Sequence, residues 1–324
     1  MSGHWSQRRE GGGRLALWLI RTIGLRCGRG FARLLLYPIT LYFFLRRPYE
    51  RRVSYAFLER VTGRPAKATE VLGHIHHFAA TMLDRTYLLA GQEHRFDVRM
   101  HGLEALTTRM RPDRGVLLLG AHVGSFEVLR VAPRACPGVD LRVVLDVQKT
   151  PALTELLHAL DPVIGRNVID ASQPATDVVL AMSEGLAEGA LVALLADRAR
   201  EGERTVQVEF LGAPAMLPAA PFLLGPLLGV PVVLCLGLYR GGNRYDVYFE
   251  AFAEAGPPLP RRERAAVLQA AASRYAQRLE HHVRHDPRNW FNWHDFWNPQ
   301  GMDHPAGADA GTGLVADRAG RGAG

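Results

Sequence analysis

The stretch GAHVGSFEVLR, residues 120–130, follows the apolar run VLLLG and carries a histidine, His122, five places before a glutamate, Glu127. Imidazole is the side chain whose ordinary pKa lets it take up and return a proton near neutral pH. Two residues five apart on a regular helix face directions about 140° apart. The pair therefore meets only if His122 precedes a helix and Glu127 lies in its first turn. Gly120 and Gly124 supply backbone freedom for that bend. Glu127 would then accept from one ring nitrogen and fix the tautomer, leaving the other nitrogen as a general base. Ser125 lies between them in HVGSFE, which is not the G-x-S-x-G of a nucleophile elbow. Direct attack by a deprotonated hydroxyl is the simpler chemistry. Taken alone, the pair also fits a histidine at a helix start beside a surface glutamate.

The surrounding pattern places His122 at a strand end. Apolar strands are expected at 116–120, 141–147, 167–170, 191–197, 230–240 and 244–252, with shorter ones starting at 96 and at 206–212. Helices are expected at 50–62, 67–90, 125–133, 150–160, 175–189, 218–229 and 261–285. Fully apolar strands alternating with helices imply an α/β fold whose mixed sheet is covered on both faces. Ligands in such sheets bind beyond the carboxyl ends of the strands, where both His122 and Asp197 fall.

The chain has 324 residues, 48 % of them apolar, and three scattered cysteines without a CxxC pair, so neither a disulfide framework nor a cysteine zinc site is expected. Its formal charge of +7 is uneven: residues 1–64 hold 13 arginines against three glutamates, so that end contributes +10 and the remainder is net acidic by three. A basic end points to an anionic partner. Its arginines are interleaved with LALWLI and LLLYPITLYFFL, which suits amphipathic helices lying in a membrane interface, arginines on phosphates and aromatics at headgroup level. Nucleic acid does not need such a greasy run. Twelve uncharged residues broken by Pro38 are short for a span, and arginines within the apolar stretch argue against a secretory signal. Residues 1–64 are thus expected to be a basic membrane-associating segment, 65–298 an α/β catalytic domain, and the Gly- and Ala-rich 299–324 a disordered tail.

Strand–GAHVGSFE–helix resembles the H-x4-D/E motif of the lysophospholipid acyltransferase superfamily, most closely the branch of the bacterial lipid A lauroyl/myristoyl acyltransferases. The resemblance spans about residues 15–298 and is carried also by LVALLADRAREGERTVQVEFLGAPAMLPAAPFLLGPLLGVPVV (191–233) and RNWFNWHDFWNP (288–299). Asp197, Phe210, Gly212, Pro214, Pro218 and Pro231 fall in register with the family pattern. It implies a glycerolipid-acyltransferase-like fold and an O-acyltransferase with His122 and Glu127 as the catalytic pair and no cofactor. It further implies acyl carrier protein or acyl-CoA as donor, a lipid acceptor, and a site on the cytoplasmic face of the bacterial inner membrane, peripheral or single-pass. Asp197, Arg198, Gly124 and Lys149 are the substrate-binding candidates. Two departures stand out. Arg198 occupies the place where the family usually has Gln, and Asp146, with Lys149 the nearest base, stands near the place of an arginine thought to hold the acyl carbonyl. That leaves the carbonyl-stabilising group open between backbone N–H groups around Val123 and Gly124, and Arg198.

Two histidine clusters, HIHH at 74–77 and HHVRH at 281–285, lack H-E-x-x-H spacing, so no metal is expected. The aromatics Trp290, Phe291, Trp293, Phe296 and Trp297 read chiefly as packing of a C-terminal element. The rival functions are a lipid hydrolase, in which water replaces the acceptor, and a non-catalytic lipid-binding protein of the same fold.

Overall fold

A computed structural model describes residues 14–131, 138–148, 167–200, 202–257 and 259–297, with side chains from Gly28 onward. Helix α1 (Arg14–Arg46) is broken in direction at Gly28, whose φ of 82° departs from helical geometry. Helices α2 (Pro48–Thr62) and α3 (Ala68–Leu89) follow. The chain then enters β1 (Asp97–His101), a one-turn helix α4 (Leu103–Thr107), β2 (Val116–Gly120), β3 (Leu141–Leu145), β4 (Val168–Asp170), α5 (Ala175–Ala187) and β5 (Leu191–Leu195). A hairpin of β6 (Thr205–Phe210) and β7 (Ala213–Pro218) leads to α6 (Ala220–Leu228), β8 (Val232–Tyr239), β9 (Arg244–Ala253) and the long α7 (Arg264–His285).

Seven strands form one sheet in the order β1-β9-β8-β2-β5-β3-β4, parallel throughout except where β8 meets β9. The all-apolar β2 and β8 lie fully buried near its middle, as strands covered on both faces must. On one face Leu117, Leu119, Val192 and Leu234 pack with α6 and α7; on the other Val116, Leu118, Ala193 and Cys235 pack with α3. This is the mixed α/β architecture expected from the sequence.

Local chemistry shifts some boundaries. The helix expected at 125–133 is a 3-10 turn over Phe126–Val131. The backbone before it is held against β8, with Gly124 at a φ of 63° and the Ser125 N–H on the Gly237 carbonyl at 2.8 Å, which leaves no room to open an α-helix there. β7 was not expected because Pro214 and Pro218 remove two donors. It forms because it lies in a two-stranded ribbon where those donors are dispensable. Leu211 and Gly212, with φ of 52° and 74°, make the tight turn such a ribbon requires. The helix expected at 150–160 and the tail at 299–324 lie outside the described residues.

α1 is fastened through its arginines. Arg29 grips the fully buried Asp84 of α3 with two hydrogen bonds of 2.8 Å, and Tyr245 donates to the same carboxylate at 3.0 Å. Arg33 adds its charge 3.9 Å away and donates to the Tyr239 hydroxyl. Ala32, Leu36 and Thr40 are buried on this side of the helix. A buried carboxylate is tolerated only with such partners, and removing its charge leaves the arginines uncompensated. Asp84→Asn should therefore destabilise the protein by about 3 kcal/mol in denaturant unfolding. A loss under about 1 kcal/mol would mean the cluster behaves as a solvated surface pair.

Candidate active site

The site forms where β2 and β5 end side by side. Their parallel register pairs Gly120 with Leu195. Two residues further along each strand stand His122 and Asp197, and the period of two points them the same way. The His122 ring nitrogen Nδ1 is 2.8 Å from Asp197 Oδ1, and the His122 backbone N–H donates to Asp197 Oδ2 at 3.0 Å. Asp197 is fully buried, whereas the His122 side chain keeps 33 % of its surface exposed. With Nδ1 on the carboxylate, Nε2 makes no hydrogen bond to the described residues.

The carboxylate that orients His122 is therefore Asp197 and not, as the H-x4-E spacing suggests, Glu127. Glu127 is drawn away by Arg85 of α3, which grips its Oε1, while the Ser125 hydroxyl donates to Oε2 at 3.2 Å. Among the described residues no hydrogen bond joins Glu127 to His122. The tight turn at 126–131 replaces the helical turn on which that pairing depended. Glu127 instead braces the loop after His122 against α3.

Burial and then the nearby Arg198 charge lower the His122 pKa from its ordinary 6.5, with Arg85 adding to this and Asp197 opposing it. The ring is accordingly neutral at pH 7 and free to accept a proton. Burial alone would raise the Asp197 pKa, but the attraction and hydrogen bonds of His122 and the Arg198 charge prevail and hold this carboxyl well below the usual range. Asp197 is a permanent anion.

A C-terminal strap completes the site. The Phe291 N–H donates to the His122 carbonyl at 2.8 Å, the Gly124 N–H donates to the Asn289 carbonyl at 2.7 Å, and Val123 bridges Trp290. Asn289 is itself clamped to the backbone of Tyr239 by two side-chain hydrogen bonds of 2.8 and 3.1 Å. Trp290 is 1 % exposed and packs edge-on against Phe57, Phe210 and Phe296, so the strap is anchored in the core. Arg198 donates from Nη2 to the Phe291 carbonyl. On the strand side, Tyr275 of α7 donates to the Gly120 carbonyl at 2.7 Å.

Of the residues expected from sequence, His122, Asp197, Arg198 and Gly124 come together here. The Gly124 amide is occupied by Asn289, so this glycine shapes the loop instead of offering a donor. Lys149 lies outside the described residues. Asp146, at the end of β3, has Arg200 3.9 Å away. Two neighbours were missed by sequence reasoning. Arg85 lies inside the helical run 67–90, where an arginine carries no distinctive signal. His294, on the strap, is pushed down to about 3 by burial, then by Arg198 and His122, with Asp197 opposing. Its place in WFNWHDFW was the only signal, and the aromatics masked it. His74 of the HIHH cluster is a buried strut between the Ser54 hydroxyl and the Trp290 carbonyl, at 2.8 and 2.9 Å. No group of three potential metal ligands forms among the described residues.

A strand-end histidine with a buried carboxylate behind it is an arrangement for moving a proton during group transfer. The relatives of the chain are transferases: residues 29–298 match the bacterial lipid A biosynthesis acyltransferase family, and the chain belongs to that family. No curated protein matches it.

The loop tolerates no side chain at its crossing point. A Cβ on Gly124 would overlap the Gly237 carbonyl oxygen, and the φ of 63° is itself strained for any other residue. Gly124→Ala should lower activity at least about tenfold even where the protein stays folded, because a displacement near 1 Å at His122 is enough to lose that much. Unchanged turnover by this variant would show that the loop does not position His122.

Proposed function

We propose that this protein transfers a fatty acyl group from a thioester, carried by acyl carrier protein or coenzyme A, to a hydroxyl of a lipid or glycolipid at a membrane surface. The observation that carries the reading is the Asp197–His122 pair, with Nδ1 on the carboxylate and the imidazole partly exposed. His122 takes the proton of the acceptor hydroxyl, and the oxygen attacks the thioester carbonyl carbon. The tetrahedral intermediate collapses with cleavage of the C–S bond, and the departing thiolate recovers the proton from the imidazolium. An ester and a free thiol result. Asp197 is the positioning residue: it fixes the tautomer and balances the charge that the ring acquires. General base catalysis of this kind supplies about 10²–10⁴-fold.

The acceptor is a lipid on this reading, and α1 supports delivery to one. Six of the ten large apolar side chains exposed among the described residues are Phe31, Leu34, Tyr37, Leu41, Tyr42 and Leu45. Their spacing puts them on one helix face, opposite the buried Ala32, Leu36 and Thr40. Arg46 and Arg47 are exposed at its end, and Arg52 is exposed on α2 just beyond. The face suits an anionic bilayer surface with arginines at the phosphates. None of the described helices is long and apolar enough to cross a membrane, so association is peripheral in this proposal, at the cytoplasmic face of the inner membrane where acyl thioesters are made.

Purified protein given labelled acyl-carrier thioester or acyl-CoA and a polar-lipid extract should move label into lipid. His122→Ala should abolish transfer, and Asp197→Asn should reduce it about 10²–10⁴-fold. Label appearing only as free fatty acid would identify a hydrolase, and lipid binding with no turnover a non-catalytic protein. Because the His122 pKa is lowered, the base is lost only as pH falls through that lowered value. The kcat/KM profile should hold level down to the ordinary histidine pKa of about 6.5 and decline below it. An acid limb centred well above that value would contradict the assignment of His122.

The membrane face can be tested separately by flotation with vesicles containing phosphatidylglycerol. Leu34→Glu combined with Leu41→Glu should weaken partitioning at least about tenfold, equivalent to about 1.4 kcal/mol. Equal flotation of this variant would remove α1 from the docking surface.

A further inference from the structure

We infer that Arg198 is the catalytic donor that holds the oxyanion of the tetrahedral intermediate. The inference rests on the acyl-transfer reading above and adds to it the group that carries the negative charge.

Acyl transfer needs donors within about 3 Å of the carbonyl oxygen as it turns into an oxyanion, close also to the base. A loop after a strand commonly provides them from its amides. Here the four amides from His122 to Ser125 are already engaged. The N–H of His122 is on Asp197, that of Val123 on the Ala121 carbonyl, that of Gly124 on Asn289 and that of Ser125 on Gly237. The Ser125 hydroxyl and the Arg85 guanidinium are both engaged with Glu127. Asp146, beyond β3, is an acidic residue and supplies no cationic donor.

Arg198 is differently placed. It follows Asp197 directly, so the strand end that orients the base also carries the cation. Its Nη2 donates to the carbonyl of Phe291, the residue whose own N–H holds the His122 carbonyl. Donor and base are thereby fixed to the same piece of strap, which is the preorganisation that oxyanion stabilisation requires. The Nε of Arg198 is buried and has no hydrogen-bond partner. A buried guanidinium N–H left without an acceptor is unfavourable, and a carbonyl oxygen arriving next to His122 would satisfy it. The guanidinium charge acts on His122, Asp197 and His294 alike, which puts it in the midst of the reacting groups.

The test compares the unchanged protein with Arg198→Met, which keeps bulk but removes charge and donors, and with Arg198→Gln in case the Met variant does not fold. Steady-state transfer from labelled acyl-carrier thioester is measured against pH. Binding of a thioether analogue, which lacks the carbonyl oxygen, is measured in parallel. The Met change should lower kcat about 10²–10³-fold while analogue binding stays within about threefold. The Gln change should lower kcat at least about tenfold with the same indifference in binding. In both, the acid limb of the kcat profile should move to higher pH, because a positive charge no longer opposes protonation of His122. A kcat within about threefold of the unchanged protein overturns the assignment, as does an equal loss in kcat and in analogue affinity with the acid limb unmoved. If the unchanged protein transfers label, His122→Ala does not, and the Arg198 variants do, only the role of Arg198 falls. If the unchanged protein transfers nothing, this assignment and the acyl-transfer reading fall together.

Discussion

Asp197 grips His122 by the ring and by the backbone from a position without solvent exposure. A buried anion must be surrounded by donors and positive charge or it will not stay ionised. Much of the architecture near the site answers that demand. β2 and β5 lie adjacent and parallel so that their ends coincide. Arg198 follows immediately as a counter-charge. The strap over residues 289–291 is hydrogen-bonded to the loop that carries His122 and to Arg198. The same burial that makes Asp197 expensive to keep makes its hold on the imidazole strong and its geometry rigid.

Helix α3 ties this centre to the rest of the molecule through two consecutive residues. Asp84 points to α1 and receives Arg29, while Arg85 points to the loop after His122 and holds Glu127. Successive positions on a helix face directions 100° apart, so one turn of α3 serves as a bracket between α1 and the loop carrying His122. Glu127 contributes to the shape of that loop without touching the ring.

The apolar strands were readable in the sequence because a sheet covered on both faces demands uninterrupted hydrophobic runs, and VLLLG, LVALL and VVLCLGLY are such runs. His122 and Asp197 were readable as strand-end polar residues. Their partnership was not, because it depends on which strands become neighbours: β2 and β5 are more than 70 residues apart in sequence, with other strands between them, and no local pattern encodes their adjacency. The spacing of His122 and Glu127 was persuasive for the opposite reason. It is local and visible, yet a glycine at positive φ and an arginine 42 residues upstream decide where Glu127 goes. β7 was hidden by its prolines. The strap's hold on the loop was hidden because it is made by backbone atoms, which carry no signature in residue type.

The strap also sets when in its life the protein acquires a site. The loop bearing His122 is completed by Asn289, Trp290 and Phe291, more than 160 positions further along the chain. Synthesis runs from the amino end, so His122, Asp197 and the whole sheet are made before the last hydrogen bonds that fix the loop can form. A nascent chain, or one clipped before residue 289, lacks Trp290 and Phe296 from the core and the hydrogen bonds that fasten the loop. The fastening of the His122 loop therefore comes last, after the segment bearing Trp290 has emerged to pack against Phe57, Phe210 and Phe296.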